Sequence, residues 1–395
     1  MAETMHAIFV QADSSLTWQD TEVLSIGRDE VLIDIYATAV NRADLAQRRG
    51  LYPPPAGASD ILGLEAAGII RKVGWEVDDW HVGDAVCTLL SGGGYAEQVA
   101  VHHDLLMPLP HNWNFVQAAA LPEVFFTAFL NLFIEAKLDK GERVLIHGGA
   151  SGVGTAAIQL AKQAGSTVIV TASSEAKLTV CSDLGADVTI NYREQDFAEV
   201  INDLGGVDVV LDMVGGSYLA KHLDVLRPNG RLVVIATLGG SQAEINLRTM
   251  MSKRLSLKGS TLRSRPIHEK ISLKEQFMKR FWRLVEQGAI YPILDSVFAI
   301  QDAEQAHAHM LDNRNVGKIV LSVRPDILAE DGHMTYSGIG NDINGDIHGE
   351  RTSNKLDDIN IAPDDATPNN SVDTYPEGES SLEDDFSEDE DSRAP

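Results

Sequence analysis

The chain has 395 residues, 44% of them hydrophobic, which is enough for two domains of ordinary size with full cores. Its formal net charge of −26 is unevenly spread: residues 325–395 hold 20 Asp and Glu against 3 Lys and Arg, leaving −9 for residues 1–324. A mildly acidic body of that kind excludes nucleic acid as the main partner. Two cysteines, Cys87 and Cys181, without CxxC spacing exclude a disulfide framework and fit a reducing compartment. Residues 1–12 show no basic segment followed by an apolar run, so no secretory signal is expected. The longest apolar stretch, 118–136, contains Pro122, Glu123 and Asn131, which predicts a buried helix and its lead-in rather than a membrane span. A cytoplasmic protein with no membrane partner is the expectation.

Along residues 5–109, short β runs alternate with Gly, Pro and Asp. Strands are expected at 6–11, 30–39, 64–73, 85–88 and 98–101, with one clear helix at 41–49. This reads as a mostly β, barrel-like domain. From about residue 123 the pattern changes to alternation. Strands at 144–146, 167–171, 188–190, 207–212 and 230–235 are separated by helices at 153–164, 175–184, 197–204 and 217–225. Such alternation builds a doubly wound parallel sheet with helices on both faces, an α/β Rossmann domain. A helix at 273–287, β runs at 296–299 and 318–323, and a helix at 300–311 follow. The run 293–299 has no αβ partner left, so these last pieces are expected to rejoin the first domain. From residue 325 onward apolar periodicity stops, and the acidic C-terminal tail, 325–395, is expected to be disordered. It would serve as a solubilising bristle, or alternatively recruit a basic partner.

The chemistry starts at Arg143-Val-Leu-Ile-His-Gly-Gly-Ala-Ser-Gly-Val-Gly154, an apolar strand feeding a Gly-rich turn that opens a helix. Gly149, Ser151, Gly152, Val153 and Gly154 let the backbone approach a pyrophosphate, whose charge meets free N–H groups and the positive helix end. The order Gly-x-Ser-Gly-x-Gly departs from a strict GxGxxG, but its place between strand and helix makes it a dinucleotide site. A site selective for NAD puts a carboxylate at the end of the second strand. Here that end is Thr171-Ala172, followed by Ser173, Ser174 and Lys177, whose hydroxyls and cation suit a 2′-phosphate. Glu175 dissents, though it also suits the first turn of a helix. The cofactor expected is NADPH.

Further segments carry a resemblance. Asn41-Arg-Ala-Asp-Leu45, Ile61-Leu-Gly-Leu-Glu-Ala-Ala-Gly68, the Ala-Ser-Gly-Val-Gly turn, Leu262-Arg-Ser-Arg265 and Asn315-Val-Gly-Lys-Ile-Val320 occur in one order. Together, over about residues 3–323, they resemble the zinc-free quinone oxidoreductases of the medium-chain dehydrogenase/reductase superfamily. The resemblance implies a GroES-like substrate domain at 1–123, completed by 265–324, and a Rossmann NADP-binding domain at 124–264. It also implies a homodimer or homotetramer. Where zinc-containing relatives have Gly-His-Glu, this chain has Gly63-Leu64-Glu65, and two cysteines cannot supply a four-cysteine lobe. No metal is expected. His102-His103 and His307-x-His309 lack a third ligand and are expected to be surface or capping histidines.

Without a metal, hydride passes to an electron-poor acceptor, a quinone or an enone, whose oxygen needs a hydrogen-bond donor. Asn41 and Tyr52 are the candidates by resemblance, although Asn41 also suits a helix N-cap and Tyr52 a packing role beside Pro53. The resemblance further implies Thr127 on the nicotinamide side and Tyr192 by the adenosine phosphate. It places Leu238 and Gly239 under the nicotinamide, and Leu262, Arg263, Ser264, Asn315 and Lys318 closing over the cofactor. Arg263 also suits a surface ion pair. The reaction expected is NADPH-dependent quinone reduction. The alternatives are enone reduction and a cofactor-binding sensor or structural protein with little turnover.

Overall fold

The computed structural model describes residues 4–324, so the acidic stretch 325–395 lies outside the described residues. The chain opens with a hairpin of β1 (Thr4–Val10) and β2 (Leu16–Glu22), then β3 (Glu30–Ala39), α1 (Arg42–Arg48), β4 (Glu65–Val73), β5 (Ala85–Leu89), β6 (Gln98–His102) and β7 (Leu106–Pro108). Next come α2 (Phe115–Ala119) and α3 (Pro122–Phe129), the latter running into a π-turn at Leu130–Glu135. The alternating region comprises β8 (Arg143–Ile146), α4 (Gly152–Gln163), β9 (Thr167–Ala172), α5 (Glu175–Asp183), β10 (Val188–Asn191), α6 (Phe197–Asp203), β11 (Val207–Asp212), α7 (Leu219–Val225) and β12 (Leu226–Val234). After these come α8 (Leu247–Lys253) and β13 (Ser256–Gly259). Then α9 (Ile267–Glu286), β14 (Leu294–Ala299), α10 (Ala303–Leu311) and β15 (Lys318–Ser322) complete the described chain.

Two large sheets result. The Rossmann sheet has the order β10-β9-β8-β11-β12-β13, all neighbours parallel. Its order reverses between β8 and β11, which puts a crevice beyond the carboxyl end of β8, where the glycine turn lies. The GroES-like sheet has the order β14-β15-β3-β4-β5-β7, with β6 paired to β3. The late strand β15 lies antiparallel to β3, Val320 opposite Ala39, so the chain's end returns to the first sheet. β3 can sit at the centre because its ten residues are nearly all buried, as a strand covered on both faces must be.

Residues 115–135 meet the length and composition of a membrane-crossing helix, yet most of that stretch is buried inside the protein. Phe126 and Phe129 pack on Phe277 of α9 with ring centroids 5.3 and 5.8 Å apart, and Phe129 and Phe133 both reach Phe281. Edge-on aromatic pairs of this kind add about 0.5–1.5 kcal/mol each beyond burial. On α9, Leu273, Phe277, Phe281 and Val285 recur every four residues and make the face that receives them. That helix begins at Ile267, six residues before the position expected. Pro266 sets its start, and the buried Lys270 interrupts the apolar stripe that would have revealed it.

Candidate active site

The glycine turn is built as a phosphate cradle. Ser151 caps α4, its Oγ accepting from the Gly154 N–H at 3.0 Å, while the Thr155 N–H closes onto the Ser151 carbonyl. The first-turn N–H groups of Gly152 and Val153 are those left for an anion. A Cβ on Gly154 would stand 2.3 Å from the Gly148 carbonyl oxygen, and one on Gly149 would stand 2.8 Å from the Val170 Cβ. Beneath the turn, His147 is fully buried. Its Nδ1 lies 2.9 Å from Thr171 Oγ1 and its Nε2 lies 2.8 Å from His222 Nε2, tying β8, β9 and α7 together. Burial holds both imidazoles neutral, His147 well below the usual range and His222 down to about 3. The nearby Asp212 carboxylate accepts from the Val214 and Gly215 N–H groups, and burial raises its pKa to about 6.

At the end of β9, Ser173 and Ser174 are half-buried, and the first acid, Glu175, is exposed. Lys177 Nζ donates to the Asn313 carbonyl at 2.7 Å, and Arg42 Nη2 reaches the Asn313 side chain at 3.0 Å. Burial lowers the Lys177 pKa; Asp295 opposes this, while Arg193 and Arg42 lower it further, so three cations converge here. Tyr192 is bonded through its N–H to the Ala172 carbonyl and opens onto a recess of about 300 Å³ lined also by Arg193, Phe197, Tyr218 and Lys221. Arg193, the neighbour of Tyr192, was not among the expected residues.

The returning segment docks on the turn itself. Gly317 donates its N–H to the Ala150 carbonyl at 2.8 Å and pairs with Ser151. Its φ of +80° and a Cβ position 2.2 Å from the Ile293 carbonyl oxygen admit only glycine. Asn315 Nδ2 donates to the Gly317 carbonyl and shapes that loop.

This docking carries Lys318 into the interior. Its Nζ donates to Glu65 Oε1 at 2.8 Å, Asn41 Oδ1 at 2.7 Å and the Val40 carbonyl at 3.0 Å. The side chains of Lys318 and Glu65 are 3% and 0% exposed, so the pair is fully desolvated. The resemblance implies Asn41 as a donor to substrate and Lys318 over the cofactor. In the structure both Asn41 Nδ2 hydrogens are spent, on Glu65 Oε1 and the Ala39 carbonyl, and all three Lys318 donors are spent as well. Both residues are committed instead to the buried cluster around Glu65, called the floor below. Asn41 also begins α1, its N–H bonded to Asp44 Oδ2.

Arg263 likewise has a different task from the one expected. It is buried, and its guanidinium donates to the Ser91 carbonyl, the Tyr52 carbonyl and Gln47 Oε1 while lying 5.5 Å from the Tyr52 ring centre. It pins the Tyr52 loop against the floor. Arg263→Ala is expected to raise the KM for the acceptor about tenfold, one lost hydrogen bond's worth of ordering, with dinucleotide affinity unchanged by fluorescence titration. Leu262 is buried beside it, whereas Ser264 is exposed and bonded to Thr261. Leu238 is exposed after β12, and Gly239 N–H is bonded to the Val214 carbonyl.

Three carboxylates missed in the sequence complete the floor. Glu65 Oε2 accepts the Glu123 N–H at 2.8 Å. Asp44 accepts the Asn41 and Gly63 N–H groups, and Tyr95 OH stands 3.4 Å from it and 3.0 Å from His307 Nε2. His307 is therefore a buried core residue and not a surface one, because α10 packs it against Tyr95. His309 bonds Asp295, and His102 caps the turn at His103–Leu105. Glu123 and Thr127 are half-buried one helical turn apart, with Thr127 Oγ1 donating to Glu123 Oε1 at 3.2 Å. A lone acid after Pro122 in an apolar run was the available signal, since such a group must be paired or face a cleft.

Leu64, where the resemblance implies a histidine in zinc-containing relatives, is buried and has no ligand atom. Among the described residues, the groups offering three ligand atoms together are His102, His103 and Asp104, and His147, Asp212 and His222. Neither includes a residue of this floor.

Comparison with known proteins agrees with this architecture. The alcohol dehydrogenase GroES-like domain model matches residues 27–111, and the zinc-binding dehydrogenase model matches residues 152–280. The quinone oxidoreductase of Mus musculus is 35% identical over 302 residues, covering 74% of this chain and 88% of that protein. A 2-haloacrylate reductase of Burkholderia sp is 33% identical over 319 residues, covering 78% and 95%. The solved quinone oxidoreductase of Pseudomonas syringae pv. Tomato DC3000 superposes with a TM-score of 0.70 at 28% identity, over 82% of this chain and 100% of that one. The chain is an oxidoreductase and belongs to the quinone oxidoreductase family of the medium-chain dehydrogenase/reductase superfamily.

Proposed function

We propose that the protein is an NADPH-dependent quinone oxidoreductase working without a metal. The observation that carries this reading is the cleft floor. Leu64, where the resemblance implies a histidine in zinc-containing relatives, offers no ligand atom, and the neighbouring Glu65 is paired with Lys318. An acceptor carbonyl must then be held by hydrogen bonds rather than by a Lewis acid. The 2-haloacrylate reductase relative favours a second reading, reduction of an activated double bond, which needs the same hydride geometry.

When bound, NADPH would supply the hydride. The Gly152 and Val153 N–H groups would receive the pyrophosphate, and Ser173, Lys177, Tyr192 and Arg193 the 2′-phosphate. Thr127 and the Tyr52 hydroxyl would line the acceptor. Burial and the charge of Glu123 raise the Tyr52 pKa, with Arg263 opposing, so the phenol stays protonated as a donor.

Lys177→Ala is expected to weaken NADPH binding about 10- to 100-fold, the loss of one charge-assisted hydrogen bond to phosphate, and to leave NADH binding unchanged. Equal losses for the two cofactors would contradict the NADPH assignment.

A further inference from the structure

Hydride addition to a quinone or enone leaves a negative oxygen that needs a proton, and the floor described above contains one acid placed to give it. Glu65 and Asp44 are fully buried and committed, the first to Lys318, Asn41 and the Glu123 N–H, the second to the Asn41 and Gly63 N–H groups. Glu123 differs. It is half-buried, and its side chain takes a hydrogen bond from Thr127, on the helix face that also carries Thr127. Its backbone N–H is bonded to Glu65 and its neighbour Val124 lies against the glycine turn at Gly152, which places Glu123 between that turn and the two buried carboxylates.

We propose that Glu123 is the proton donor of the reduction, on the reading that the protein reduces conjugated carbonyls. As hydride adds to the acceptor, the Glu123 O–H bond breaks, its electron pair stays on the carboxylate, and a new O–H bond forms on the acceptor oxygen. Quinone plus hydride plus proton gives hydroquinone, and solvent then reprotonates Glu123. Thr127, on the next turn, positions the carboxyl.

The surroundings keep this acid protonated near neutrality. Burial and the charge of Glu65 on β4 push the Glu123 pKa up to about 7; Lys318 on β15 and the Thr127 hydroxyl oppose the shift, and Asp44 beside α1 adds to it. Lys270 on α9, Arg263 and Tyr52 also interact with its charge. The donor is therefore present below about pH 7 and lost as pH rises through that value.

Two measurements test this. In the infrared difference spectrum of the cofactor-free protein between pH 6 and pH 8, the wild type should lose a protonated-carboxyl C=O band. That band should be missing in Glu123→Gln and retained in Asp44→Asn. In single turnovers with NADPH and a quinone, the wild-type rate should fall above about pH 7. Glu123→Gln should be at least ~100-fold slower with a flat profile, and Thr127→Val should move the profile to higher pH. NADPH affinity, followed by fluorescence, should stay unchanged in Glu123→Gln. Wild-type turnover matched in rate and pH profile by Glu123→Gln, or a band that persists in that variant, overturns the role of Glu123 and leaves the quinone reading standing. A wild type that turns over neither quinones nor enones overturns both.

Discussion

Lys318→Met is expected to destabilise the protein by about 3–5 kcal/mol, measured as a lower urea midpoint at unchanged slope. Glu65 is ion-paired with this ammonium, which is bonded at all three of its hydrogens, and its charge also acts on Asp44 and Glu123. Removing it leaves Glu65 buried, charged and still receiving the Asn41 and Glu123 donors. The double replacement Glu65→Leu with Lys318→Met should recover much of the loss, because an apolar pair does not bear the desolvation cost of an ion pair. A single variant within about 1 kcal/mol of wild type at pH 8 would mean that the pair does not organise the floor.

Gly154→Ala should abolish dinucleotide binding, a loss of at least about 100-fold by calorimetric titration. The added Cβ would meet two backbone carbonyl oxygens, those of Gly148 at 2.3 Å and Gly149 at 2.6 Å, and neither can rotate away. The turn must open, breaking the Gly154-to-Ser151 cap and displacing the Gly152 and Val153 N–H groups. Overpacking of this kind costs about 1–3 kcal/mol of stability as well. Gly152→Ala should be milder, because its Cβ would meet only side-chain atoms, Lys318 Cδ and Val124 Cγ1. Equal effects at the two glycines would show that backbone approach is not what the turn requires.

Most of the Rossmann half was legible because its strands are apolar runs whose ends are marked by glycine. What escaped was what lacked that contrast. β2 is half exposed and mostly polar, β7 has three residues, and β13 is a short, largely exposed edge strand held by pairing with β12. The glycine turn could be read because all its parts are contiguous. The Glu65–Lys318 pair joins residues 253 positions apart, so no local pattern announces it. Asn41 shows the consequence. Its type and place before α1 were visible, but its partners, Lys318 and Glu65, decide that it supports the floor rather than the substrate. Arg263 is the same case, a cation whose role is set by carbonyls at Ser91 and Tyr52.

The most direct test of metal-free hydride delivery is single-turnover stopped-flow with NADPH deuterated at nicotinamide C4, a quinone acceptor and a protein treated with a strong chelator. The account predicts rapid loss of nicotinamide absorbance, slowed several-fold by the deuterium, weaker with NADH and indifferent to chelation or added zinc. Turnover that disappears on chelation and returns with zinc, or that proceeds equally from NADH, would contradict it.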